Sequence, residues 1–149
     1  STLVKQAIEK GNCQETKELL GRFYTIKGKV TEGKNLGEKL GFPTANIIPS
    51  PNIVIPKDGI YASIVEYNNK KYYGATSIGK RPTFEKNGQR IIETFILDFN
   101  KNIYHKKINV HLISKIRDEQ KFNSQEELID KMNEDIKNIK LILDKKNLL

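Results

Sequence analysis

Ile60-Tyr61-Ala62-Ser63-Ile64-Val65-Glu66-Tyr67 and Lys71-Tyr72-Tyr73-Gly74-Ala75-Thr76-Ser77-Ile78, joined through Asn68-Asn69, decide the fold class. Both runs are rich in β-branched and aromatic residues, which fit a pleated, half-buried surface. Asparagine tolerates the left-handed backbone that a tight hairpin turn demands, so the pair reads as a β-hairpin. Phe23–Val30 reads as a further strand, and Ile91–Phe99 with Lys107–Ile113 as a second strand pair around Asn100-Lys101-Asn102. Several short strands separated by turns imply a closed antiparallel sheet or barrel.

Helices flank this β region. Leu3, Val4, Ala7 and Ile8 share one helical face until Gly11-Asn12 interrupts it. Asn12 can cap a second short helix, with Glu15 three residues on and Gly21 as its stop. At the far end, Ser124 and Glu127 form an S-x-x-E capping box. Leu128, Met132, Ile136, Ile139 and Leu143 then recur at helical spacing, one apolar face that needs the barrel to bury it.

The 149 residues amount to about one domain, and 37% hydrophobic content is enough for a core. Mean hydropathy is −0.57. The one cysteine, Cys13, excludes an internal disulfide and a multi-cysteine metal cage. His105 and His111 have no third ligand spaced to join them on a metal. No run approaches the roughly 18 apolar residues of a membrane span, and no signal-peptide pattern occurs, so a soluble, reducing, cytoplasmic setting without a membrane partner is expected. The net charge of +8 raises the question of a polyanion partner. The excess is spread along the chain, however: +2 over 1–27, +1 over 28–46, +2 over 47–98 and +3 over 99–149. A nucleic-acid surface gathers its cations on one element. A lysine-rich solvated surface is the expectation here, with no nucleic-acid partner.

Gly28 to Pro56 is the least regular region, with four glycines and four of the five prolines. Gly28-x-x-x-x-Gly33-Lys34 matches the start of a P-loop, but Asn35 stands where Ser or Thr should bind Mg²⁺, and Gly37, Gly41 and Pro43 leave no helix for the motif to open. Closely spaced glycines still let backbone N–H groups approach phosphate oxygens. Beyond them, Pro43 stiffens the chain before Thr44 and Asn46. In an extended segment these two point the same way and offer hard oxygens suited to Mg²⁺ or a metal-bound phosphate.

The run Gly28-x-Val30-x-x-Gly33 … Leu40-Gly41-Phe42-Pro43-Thr44-Ala45-Asn46 resembles the riboflavin kinase family. The likeness continues through Asp58-Gly59-Ile60-Tyr61-Ala62, Gly79-Lys80-Arg81-Pro82-Thr83-Phe84, Glu93-Thr94-Phe95-Ile96-Leu97-Asp98-Phe99 and Ile116-Arg117-Asp118-Glu119-Gln120-Lys121-Phe122. These motifs cover about residues 21–143 in the family's order. The resemblance implies a six-stranded antiparallel Greek-key β-barrel, mainly β with flanking helices and a long C-terminal helix packed on it. It further implies transfer of the γ-phosphoryl group of ATP to the 5′-hydroxyl of riboflavin, giving FMN. Ser1-Thr2-Leu3-Val4-Lys5 looks like the last motif of the adenylyltransferase domain that precedes the kinase in bifunctional bacterial enzymes. Residues 1–20 would then be the helical end of that domain or a linker, and 21–149 the kinase domain, with an N-terminal FMN adenylyltransferase domain in the parent chain.

By resemblance, Thr44 and Asn46 hold the Mg²⁺ of Mg-ATP, and Glu93 is the general base. Gly28, Val30, Gly33, Lys34, Gly37, Lys39 and Gly41 form the loop over the nucleotide, with Tyr104 beside the adenine. Arg117 and Glu119 belong to the flavin side. The chain departs from the family at Phe95, where His is usual, at Glu38, where a basic residue is common, and at His105, where Gly is usual. Two rival readings stand beside the kinase: a flavin-binding barrel that has lost turnover, motivated by Phe95 and Glu38, and a small nucleic-acid-binding β-barrel. The scatter of Tyr and Phe residues argues against the second.

Overall fold

The computed structural model describes residues 1–32, 43–80 and 90–149. Helices α1 (Thr2–Glu9) and α2 (Cys13–Leu20) lead into strands β1 (Tyr24–Thr31), β2 (Ala45–Pro49), β3 (Gly59–Tyr67), β4 (Lys70–Lys80), β5 (Arg90–Ile96) and β6 (Lys107–Arg117), and α3 (Gln125–Lys146) closes the chain. The strands form one closed antiparallel barrel in the order β1-β2-β5-β4-β3-β6. Strands β3, β4 and β5 follow one another as neighbours, and β6 returns to lie beside β3, which is the Greek-key arrangement.

The hairpin forms as its sequence predicts. Tyr67 pairs with Lys70, and Asn68 and Asn69 both take positive φ, 53° and 63°. The caps follow too. Asn12 accepts from the Glu15 N–H, and Gly21 ends α2 in the left-handed region at φ 78°. Ser124 accepts from the Glu127 N–H, while the Glu127 carboxylate reaches back one residue further than a capping box requires, to the N–H of Asn123 at 3.1 Å.

Three expectations are corrected. Ile91–Phe99 and Lys107–Ile113 are not partners: β5 pairs with β2 and β4, and β6 with β1 and β3. The connection between them is drawn across the barrel mouth by its own apolar side chains. Ile103 is buried in the core, and Phe99 packs edge-on against Tyr67 and Tyr72, with ring centroids 6.0 and 4.9 Å away. Those three aromatics are therefore gathered rather than scattered, but they pack on the core instead of forming an open stacking face. The stretch from Gly28 to Pro56 is also less irregular than it reads, because Gly28 belongs to β1 and Ala45–Pro49 is a strand.

The interior holds Ile26, Val30, Ile47, Tyr61, Val65, Ile78, Ile92 and Val110. A second apolar layer lies outside the sheet, where Ile139 and Leu143 of α3 cover Ala62, Ile64 and Ile113. The outer side of β4, β3 and β6 is thereby roofed by a helix, and a cavity lies beneath that roof.

Candidate active site

Thr44 precedes β2, and the alternation expected from Pro43 onward is observed: Ala45 and Ile47 are buried, while Thr44 and Asn46 are half-buried on the outer side. Asn46 pairs with Glu93 of β5, which pairs in turn with Ser77 of β4. Three strands thus set an amide, a carboxylate and a hydroxyl side by side. The Thr44 hydroxyl lies 3.4 Å from Glu93 Oε2, long for an O–H···O bond.

Two cavities meet at Thr44. The first, about 290 Å³, lies between the sheet and α3 and includes Glu93, Phe95, Arg117 and Glu119, with Met132 and Ile136 from the helix. The second, about 420 Å³, lies at the barrel mouth and includes Val30, Lys101, Asn102 and Tyr104. The residues expected on the flavin side share the first cavity with the expected base. Val30 and Tyr104, expected on the nucleotide side, share the second. Asn46 lines neither and sits beside Glu93. Gly28 lines neither, and its small size has a structural reason: a Cβ there would lie 2.4 Å from the Ile48 carbonyl oxygen, so β1 and β2 approach closely only because the side chain is absent. Gly33, Lys34, Gly37, Lys39 and Gly41, with the departure at Glu38, lie outside the described residues.

Arg117 is fixed by an acid that the sequence reading missed. Its Nε lies 2.9 and 3.0 Å from the two carboxylate oxygens of Asp135, and its Nη2 2.7 Å from Oδ2. Asp135 is 5% exposed, so this bidentate pair ties the end of β6 to α3 away from water. The signal was present: Asp135 stands three residues after Met132 and four before Ile139, on the apolar stripe itself, where a carboxylate requires a buried cation.

Glu119 rests against β4, accepting from the Ser77 hydroxyl at 3.4 Å, and a Cβ on Gly79 would lie 2.1 Å from its Oε1. Burial pushes its carboxyl above the usual range, and the nearby Asp58 carboxylate adds to the shift. Phe95 lines the same cavity as Glu93, so the face where the family usually carries an imidazole is apolar here. His105 adopts φ 67°, a conformation natural to glycine, the residue usual there in the family. Among the described residues no cluster of three or more His, Cys, Asp or Glu side chains could hold a metal, and no helix is long and apolar enough to cross a membrane.

The family model described as Flavokinase: Riboflavin kinase matches residues 20–143. A bifunctional riboflavin kinase/FMN adenylyltransferase from Listeria monocytogenes is 39% identical over 135 residues, 91% of this chain and 43% of that protein. Among solved structures, a macrolide-efflux protein from Streptococcus pneumoniae superposes with a TM-score of 0.86 at 36% identity, over 92% of this chain and 45% of its own. The riboflavin kinase of Trypanosoma brucei does so at 0.63 and 25% identity, over 85% and 83%. The chain spans less than half the length of the Listeria relative.

Proposed function

The chain belongs to the riboflavin kinase family, and from that premise we propose that it moves the γ-phosphoryl group of Mg-ATP onto the 5′-hydroxyl of riboflavin, releasing FMN and ADP. The observation that carries the reading is the position of Thr44 at the junction of two cavities of opposite electrostatic character. Among the described residues the first contains Glu93, Glu119 and Asp135 against one cation, Arg117, which Asp135 already engages. A triphosphate would be repelled there, whereas a neutral polyol with an apolar ring system suits the walls of Phe95, Phe122, Met132 and Ile136. Among the described residues the second is lined by Lys101, two asparagines and Tyr104 and by no carboxylate, which suits the nucleotide.

Phosphoryl transfer asks chiefly for positioning and charge neutralisation. With riboflavin in the first cavity, its 5′-hydroxyl is directed toward Glu93, whose carboxylate accepts the proton as the oxygen attacks phosphorus. The Thr44 hydroxyl donates toward Glu93, which orients the carboxylate and leaves the threonine lone pairs for a cation. Thr44 and Asn46 offer the neutral hard oxygens that suit a magnesium ion arriving with its own phosphates and waters. That ion supplies charge neutralisation when bound. Catalytic hydrogen bonds commonly tighten when substrate binds, and the 3.4 Å bond between Thr44 and Glu93 has room to do so.

Residues 1–20 belong, in this proposal, to the end of an adenylyltransferase domain or its linker, and the parent chain carries that domain ahead of the kinase in a cytoplasmic enzyme. The Ser1–Lys5 motif and the length of the bifunctional relatives support this. The test is FMN production from riboflavin and ATP, followed by chromatography with and without excess chelator. Metal-dependent FMN with equimolar ADP is expected. Riboflavin binding with no FMN would support the non-catalytic barrel instead.

A further inference from the structure

On the side of the barrel away from Glu93, strands β1, β6 and β3 bring three polar side chains into line. Thr25 of β1 pairs directly with His111 of β6, and His111 with Ile64 of β3, two residues from Glu66. The Thr25 hydroxyl lies 2.6 Å from His111 Nδ1, and His111 Nε2 lies 2.6 Å from Glu66 Oε1. A carboxylate accepts only, so in the neutral imidazole Nε2 carries the proton and Nδ1 offers its lone pair to the Thr25 hydroxyl. That is the relation of nucleophile, base and orienting acid in acyl-transfer sites. The trio lines a cavity of about 400 Å³ with an apolar wall of Phe23, Ile64 and Ile113. Lys27 and Asn109, on the same outer face one pleat further along β1 and β6 and themselves paired, supply an ammonium and an amide beside the hydroxyl.

We propose that this face is a second, nucleophilic site at which Thr25 takes the acyl group of a small, activated carboxylic ester. Thr25 Oγ1 attacks the carbonyl carbon while its proton passes to His111 Nδ1. Lys27 and Asn109 face the tetrahedral oxyanion. The C–O bond to the leaving group then breaks, and that oxygen takes the proton from His111. Water, deprotonated by His111 in its turn, releases the acid and restores the hydroxyl.

The probe is p-nitrophenyl acetate, read by p-nitrophenolate release and by mass spectrometry of the trapped acetyl-protein. Wild type is expected to release p-nitrophenolate about 100-fold faster than Thr25→Val and His111→Gln, and about tenfold faster than Glu66→Gln. The trapped acetyl group should be on Thr25. Phosphorylation of riboflavin, on the other side of the barrel, should be unchanged in all three, which also reports that they fold. Equal release by wild type and Thr25→Val, or acetylation confined to lysines, would overturn the proposal. Should Thr25→Val fail to fold, the acetyl position in wild type and the rate of His111→Gln decide alone.

Discussion

The two cavities that share Thr44 are built in different ways. The first is assembled from parts distant in the chain: β4 and β5 supply its floor, the end of β6 one wall and α3 the roof. The second is framed at the rim, by the ends of β1, β2 and β5 and by the connection to β6, held by the N–H of His105 donating to the Val30 carbonyl and the N–H of Val30 to the Lys106 carbonyl. The first concentrates acids and apolar walls, the second a lysine and amides. A cavity roofed by a helix can desolvate a carboxylate and an aromatic ring together, which a base acting on an alcohol requires. A cavity at a rim keeps access to water and suits a highly charged ligand that enters with its counter-ion.

The sharpest way to break the contrast is Glu93→Gln. Loss of a positioned general base costs about 10²- to 10⁴-fold in rate. FMN formation should fall by that amount, with riboflavin and ATP dissociation constants nearly unchanged in calorimetry. Near-wild-type turnover would remove Glu93 from its role. Thr44→Ala is expected to differ in kind, since Thr44 touches both cavities: the Michaelis constant for Mg-ATP should rise and turnover should fall together.

Asp135 tests the roof of the first cavity alone. Removing one member of a buried ion pair strands the other and costs about 3–5 kcal/mol. Asp135→Ala should therefore lower urea stability by that amount and weaken riboflavin binding, because Arg117 loses its anchor. ATP binding at the rim should change little. Replacing both members, as Arg117→Met with Asp135→Leu, should recover most of the stability and none of the riboflavin affinity. A double variant that bound riboflavin normally would detach Arg117 from the flavin side.

The second cavity offers a smaller effect of opposite sign. His105 holds φ 67° without being glycine, at a cost of about 1 kcal/mol for a left-handed L-residue. Glycine would relieve that cost and forfeit part of the gain through the greater entropy of the unfolded chain. His105→Gly should raise stability by about 0.5 kcal/mol, a melting shift of about 1–2 °C. The Michaelis constant for ATP should hold if Tyr104 keeps its place. A lower melting temperature would mean that the imidazole makes a compensating contact.

What can be read from the sequence divides between features set by adjacent residues and features set by distant ones. The Asn68-Asn69 turn, the Asn12 and Ser124 caps and the Gly21 stop all depend on a few adjacent residues, and all are found. The outward alternation of Thr44 and Asn46 follows from strand geometry alone. The partner of β5 depends on where Phe99 and Ile103 can be buried, which a local pattern does not contain, and so the expected pairing with β6 does not form. The extended stretch through Thr44 and Asn46 is legible, but its length as a strand is not, because β2 has only five residues and ends at Pro49, two before Pro51. Asp135 does not stand out in the sequence, because the apolar members define the helical stripe and its cation, Arg117, lies 18 residues away. The grouping of Glu93 with Arg117 and Glu119, and of Val30 with Tyr104, came from resemblance to a family and not from spacing.

The smallest expected effect concerns Glu119, at the edge of the first cavity. Burial, and then the Asp58 carboxylate, raise its pKa above the unfolded value, so the folded protein binds this proton more readily than the unfolded chain does. Stability must therefore fall as pH rises from the unfolded pKa through the folded one, and the penalty persists at neutral pH. The Ser77 hydroxyl offsets part of it by donating to Oε1. Glutamine keeps an acceptor for Ser77 and carries no charge to desolvate. Glu119→Gln should melt above wild type at pH 7, and the difference should vanish below the unfolded pKa, where wild type is protonated in both states. The second cavity has no carboxylate among its described residues, so ATP binding should show no matching change. If the two proteins melted together at every pH, the ionised carboxylate would be as well solvated in the fold as in the open chain, and the acid-lined cavity would lose this part of its contrast with the rim.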